Sequence, residues 1–180
     1  MKDGFIKVAA GTPDIRVADC EYNRAEITAL IDKAYATGVR ILALPELCIT
    51  GYTCQDLFFQ QALLDGALNS LREITEHTAG SDMLISVGCP LRFRGELYNC
   101  AVVLKDGKIL GVVPKKFLPN YNEFYEKRHF TAAPEGQFDI ELFGESVPFG
   151  LGLLFECRAM PELGFAAELC EDLWAAEPPS

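Results

Sequence analysis

Residues 41–52 read ILALPELCITGY, and the first six of them decide the fold class. ILALPE is a short apolar run stopped by Pro45 and closed by Glu46, the signature of a buried strand ending at a carboxylate. Upstream, residues 21–37 place Ile27, Leu30, Ile31 and Ala34 at helical spacing, with Gly38 as the stop signal. Residues 5–10 read as a further strand and 14–19 as the loop after it. Downstream, residues 56–76 return to helical period through Leu57, Leu63, Leu64, Leu71 and Ile74. Residues 83–89 and 97–104 read as strands, and Lys105-Asp106-Gly107-Lys108 predicts a type I′-like hairpin returning through 109–113. Further strand-like pieces follow at 138–142, 151–156 and 163–169. Helices alternating with strands, then a strand-rich half, predict an α/β layered fold with mixed pairing in its sheet.

The chain of 180 residues is long enough for one domain with its own core. Apolar residues make up 49% and charged residues 23%, a globular rather than disordered balance. Apolar runs such as 41–45 and 101–104 are far too short to span a bilayer. The N-terminal stretch is interrupted by Gly11, Pro13 and Asp14 and does not read as a secretory signal. A net charge of −10 disfavours nucleic acid and anionic lipid as partners. The seven cysteines are an odd number, scattered and without a CxxC pair, and only two histidines accompany them. Zinc-ligand spacing is absent, no metal site is expected, and the usage fits a reducing cytoplasm. GTP at 11–13 lacks the GK[ST] ending of a phosphate-binding loop.

Three positions carry candidate chemistry. Cys170 follows the strand-like GFAAEL and sits where a turn would lift its sulfur off a sheet, with the Glu171 N–H next in line for an oxyanion. Its ordinary reading is a buried structural cysteine, and the acidic neighbours Glu171 and Asp172 oppose a spontaneous thiolate. Glu46, at a strand end, is placed for desolvation and general-base work, or is a surface glutamate. Lys115 and Lys116 follow Pro114, and either offers a cation for an oxyanion or is a solvated lysine. Residues 114–136, PKKFLPNYNEFYEKRHFTAAPEG, form a long aromatic and charged loop of the kind that carries function.

Together, ALPELCITGY, VPKKFLPNY and AAELCEDLW resemble the nitrilase, or carbon–nitrogen hydrolase, superfamily, whose hallmark is a Glu–Lys–Cys triad in that order. LPELCITGYTCQDLF, PKKFLPNYNEFYEKRHF and ELCEDLW are similar to one branch, the glutaminase domains of glutamine-dependent NAD synthetases. The resemblance covers residues 1–180 and implies a nitrilase-like four-layer α-β-β-α sandwich, incomplete at the C-terminus. It implies Glu46 as general base, Cys170 as nucleophile, and Lys115 rather than Lys116 as the cation, because Lys115 directly follows the proline. It implies glutamine as substrate, with Tyr52, Tyr121 and Phe124 along the pocket wall and Glu171 near the substrate amino group. Glu123, with Glu126 as its rival, would orient the lysine. No cofactor is implied for glutamine hydrolysis; ATP and magnesium belong to a synthetase domain that these 180 residues lack. A homo-oligomer is expected. The alternatives are a free-standing amidase acting on another small amide, and an inactive piece that keeps only assembly contacts.

Overall fold

A computed structural model describes residues 4–179. Its centre is a seven-stranded sheet in the order β1-β2-β3-β4-β5-β7-β6. The strands are β1 (Lys7–Ala10), β2 (Val39–Ala43), β3 (Leu84–Phe93), β4 (Glu96–Lys105), β5 (Lys108–Pro114), β6 (Gln137–Leu142) and β7 (Glu145–Gly150). β1, β2 and β3 run parallel; β3, β4 and β5 form an antiparallel meander; β7 joins β5 in parallel and pairs β6 antiparallel. The sheet is mixed, as the sequence predicts.

Two helices lie on one face. α1 (Cys20–Ala36) is capped by Asp19, whose carboxylate accepts the Tyr22 N–H, with Glu21 in the first turn and Lys33 in the last, each favourable to the helix dipole. α2 (Gln61–His77) buries Leu64, Ala67, Leu71 and Ile74. These side chains and Ile27 and Ile31 of α1 form one core with Leu42, Ile85, Val87, Val102 and Leu104 of the sheet. The opposite face is thinly covered: Ala101 and Val113 meet Leu169, Leu153 and Ala167. A two-stranded ribbon, β8 (Phe155–Glu156) with β9 (Gly164–Phe165), lies over that side, its Phe155 ring against Gly111. The described residues thus supply a helical layer, a sheet layer and the ribbon beyond it.

Several elements differ from expectation. The 56–76 helix divides into a 3-10 turn (Gln55–Phe59) and α2, because Gln60 adopts an extended conformation with ψ 121°. The break turns Phe58 onto Phe130, ring centroids 4.9 Å apart, instead of along α2. Of the strand expected at 151–156 only Phe155–Glu156 is paired, as β8; the strand just before it, β7, is one the sequence pattern does not predict. β7 is joined to β6 by a turn in which Phe143 and Gly144 both take positive φ, a hairpin geometry without the usual Asn-Gly signature. The 163–169 strand is paired only at Gly164–Phe165. β2 ends at Ala43, three residues short of Glu46. The Asp106-Gly107 hairpin is as expected, with φ of 50° and 72°.

Candidate active site

Glu46 stands on a turn after β2 that is pressed directly against β3. A Cβ added at Gly88 would lie 2.2 Å from the Leu47 nitrogen and 2.5 Å from the Pro45 oxygen, so only glycine permits this approach. The turn is tied down by the Ile49 N–H donating to the Gly88 carbonyl and by the Asn23 side chain donating to the Ile49 carbonyl. Leu47 takes φ 51°, a left-handed conformation that such packing must hold in place.

Lys115 follows the last residue of β5. Its N–H donates to the Asn99 carbonyl at 2.8 Å, which extends the β4–β5 ladder by one residue. Its side chain is fully buried, and the ammonium bridges Glu46 Oε1 and Glu126 Oε1, each at 2.7 Å. Burial alone would pull this ammonium down, but the charges and hydrogen bonds of Glu46 and Glu126 outweigh it and hold it above an ordinary lysine. Glu126 opens the short helix α3 (Glu126–His129), is 4% exposed, and also accepts the Tyr52 hydroxyl at 2.6 Å. Burial raises its carboxyl against the opposing donors of Lys115 and Tyr52. Burial, and then Glu126, push the Tyr52 phenol well up. The carboxylate that meets Lys115 beside Glu46 is therefore Glu126. Glu123 lies outside this contact, on the rim of a small cleft it shares with Tyr52 and Tyr125.

Cys170 sits between an extended segment and the single turn α4 (Glu171–Trp174), at φ 48° and ψ −98°. This is a strained conformation for a residue with a Cβ, and such outliers concentrate at functional sites. Asp172, 1% exposed, fixes the turn to the Lys115 segment: its carboxylate accepts the Phe117 N–H at 2.7 Å and the Lys116 N–H at 3.2 Å. The acid read in sequence as unfavourable to a thiolate thus faces backbone amides. The Glu171 N–H donates to no group among the described residues. Cys170 is exposed and shares a cavity of about 250 Å³ with Glu46, Ser86, Gly88, Ala101 and Leu169. Its thiol is raised, first by partial burial and then by the Glu46 charge, with Lys115 opposing.

Tyr52, Phe124 and Tyr121 form a chain of ring contacts. Phe124 packs edge-on against Tyr52 and Tyr121, at centroid distances of 6.4 and 5.7 Å. Tyr121 donates to Glu171 Oε2 at 2.9 Å, a bond that raises the phenol. Lys116 points elsewhere, over the Phe117 ring. Sequence reasoning missed Asn99, Gly88 and the anchoring role of Asp172. Asn99 carried a signal, being the one amide inside the apolar run LYNCAVVL.

A carboxylate and a buried lysine at one end of an α/β sheet, with a strained cysteine on the same cavity as the carboxylate, define a class, and comparison with known proteins agrees. The family model for carbon–nitrogen hydrolases matches residues 7–178, and the chain belongs to that family of hydrolytic enzymes. It is similar to the glutamine-dependent NAD(+) synthetase of Mycobacterium tuberculosis, 36% identical over 177 residues, covering 98% of this chain and 26% of the relative. The Arabidopsis thaliana protein of the same name is 35% identical over 185 residues, with 97% and 25% covered. The crystal structure of a glutamine-dependent NAD(+) synthetase from Cytophaga hutchinsonii superposes with a TM-score of 0.79 at 34% identity, over 85% of this chain and 26% of that one. An amidase from Nesterenkonia sp. shares the fold, with a TM-score of 0.61 at 20% identity over 79% of this chain and 54% of its own. The chain spans about a quarter of the length of the curated synthetases it matches.

Proposed function

We propose that this chain hydrolyses the side-chain amide of glutamine through a thioester on Cys170. The observation that carries the reading is the fully buried Lys115, held between Glu46 and Glu126 beside an exposed, strained cysteine. Because the resting thiol is raised, it attacks only as its proton leaves, and Glu46 takes that proton. The sulfur bonds to the amide carbon. The oxyanion forms toward the third N–H of Lys115, which the two carboxylates leave unused, and toward the Glu171 N–H. Glu46 returns the proton to the amide nitrogen, the carbon–nitrogen bond breaks, and ammonia departs. A water molecule then gives its proton to Glu46 and attacks the thioester, releasing glutamate and the thiol.

Tyr52, Phe124 and Tyr121 line the approach, and Glu171, held by Tyr121, meets the substrate ammonium. Glu126 keeps Lys115 oriented, with Glu123 farther out. The ammonia serves NAD synthesis in a synthetase domain that uses ATP and magnesium, and the hydrolytic step needs no cofactor. The names of the relatives support this assignment. The enzyme works in the cytoplasm as a homo-oligomer, without nucleic acid or membrane as partner; the seven free cysteines agree with a reducing compartment. No helix among the described residues is long and apolar enough to cross a membrane.

The test is glutamate release from glutamine with wild type and with Cys170→Ala, beside a panel of other small amides. Loss of release in the variant and preference for glutamine are expected. Turnover that survives Cys170→Ala removes the mechanism, and preference for another amide moves the chain to the free-standing amidases.

A further inference from the structure

Asn99 lies inside β4, fully buried, where its neighbours Cys100, Val102 and Leu104 serve the core. Its side-chain nitrogen donates to Glu46 Oε1 at 2.6 Å, the same oxygen that accepts Lys115 at 2.7 Å. The amide orientation follows from chemistry, since the opposite flip would set a carbonyl oxygen against a carboxylate. The same residue's backbone carbonyl receives the Lys115 N–H at 2.8 Å. One residue therefore holds both members of the Glu46–Lys115 pair. Its own Oδ1 is buried with no partner. An apolar side chain of similar size would pack here without stranding an acceptor, so packing does not account for the amide.

Two donors on Oε1 leave Oε2 of Glu46 with no hydrogen bond among the described residues. Glu46 opens onto the cavity that Cys170 also lines. From this arrangement we infer that Asn99 is a positioning residue: it turns Glu46 so that Oε2 is the proton acceptor for Cys170. The inference rests on the glutamine-hydrolysing reading above. The charged groups around the contact are Lys115, on the shared oxygen, and Glu126, on the far side of that ammonium. Across the cavity stands the Cys170 thiol.

Two substitutions in the full-length protein test it. Asn99→Leu removes the donor and the stranded acceptor together, so the fold is retained, as a melting curve checks. Its kcat for glutamine falls roughly 10- to 100-fold, a part of the 10²- to 10⁴-fold contribution of a general base, while KM stays within about twofold. Asn99→Asp keeps the shape and adds a titration. Its introduced acid donates to Glu46 while protonated and repels it once ionised, so the variant works on the acid side and loses turnover as pH rises, a fall absent from wild type. A merely structural asparagine would not produce that fall. Near-wild-type kcat in Asn99→Leu, or a wild-type pH profile in Asn99→Asp, overturns the inference. Cys170→Ala, measured alongside, separates the two failures. If it is inactive while both Asn99 variants behave as wild type, only the role of Asn99 falls. If it remains active, the catalytic reading falls and the role of Asn99 with it.

Discussion

At the scale of single residues, the thiol of Cys170 is tuned by two opposed charges. After burial, Glu46 is the largest influence raising it, and Lys115 works the other way. Glu46→Gln keeps the shape, removes the raising charge and leaves Lys115 paired with Glu126. Alkylation of Cys170 by iodoacetamide near neutral pH, followed by peptide mass, is then expected to quicken several-fold, because more thiolate is present. Glutamate release is expected to fall at least roughly 10²-fold, because the proposed proton acceptor is gone. Loss of both together would mean that Glu46 only supports the fold. Glu46, Lys115 and Cys170 each follow a strand-like run, but that position left each with an ordinary reading, and only the resemblance of the three motifs to one family singled them out together. The choice between Glu123 and Glu126 was not legible in the sequence. Both lie in a loop without periodicity, and only the folded path of 119–130 shows which one reaches the ammonium, with the Glu126 N–H donating to the Pro119 carbonyl.

Elements fix the angles between these residues, and the contact of the Glu46 turn with β3 is the tightest of them. Gly88→Ala would push a methyl into backbone atoms of residues 45–47, which unlike a flexible side chain cannot swing aside. Overpacking of this kind costs about 1–3 kcal/mol. The variant is expected to melt earlier and to lose glutamate release, as a melting curve and a turnover assay together would show. Unchanged values for both would mean that the turn can retreat from the strand without harm to Glu46. Helical periodicity located α1 and α2, and Asp-Gly located the hairpin between β4 and β5. The breaks were hidden for physical reasons. Gln60 interrupts a helical pattern without proline or glycine, and Phe143-Gly144 makes a tight turn from a residue that rarely enters the left-handed region. The 163–169 segment is apolar like a strand, yet most of it stays unpaired and delivers Cys170 to its turn.

Across the whole molecule, layering was readable in the alternation of helices and strands, but the uneven covering of the sheet was not. β3 and β4 are buried almost throughout, so their sequences give one continuous apolar run and no alternation to separate the helix-covered face from the thinly covered one. The charges distributed over this frame set a pH dependence with a definite sign. Burial raises the carboxyls of Glu126 and Asp172 above the ordinary range. A raised acid holds its proton better folded than unfolded, so its contribution to stability is present at acidic pH and is lost as pH climbs through the folded value. Lys115, raised by its two carboxylates, acts in the same direction at alkaline pH, as do the buried thiols of Cys20, held at about 11, and Cys48, at about 12. The net charge of −10 adds self-repulsion that acidification relieves. Asp56 opposes them: Arg128 holds it at about 2, so its contribution is present above the ordinary carboxylate value and lost as pH falls toward the folded one. The melting midpoint at constant ionic strength is therefore expected to rise as pH is lowered toward the ordinary carboxylate range, and to fall again below it. Glu126→Gln should flatten the rise, since it removes one of the two raised carboxyls. A midpoint that instead stays level until pH reaches the ordinary carboxylate range and only then falls, in wild type and variant alike, would show that paired carboxylates such as Asp56 govern this fold and that burial of Glu126 and Asp172 does not.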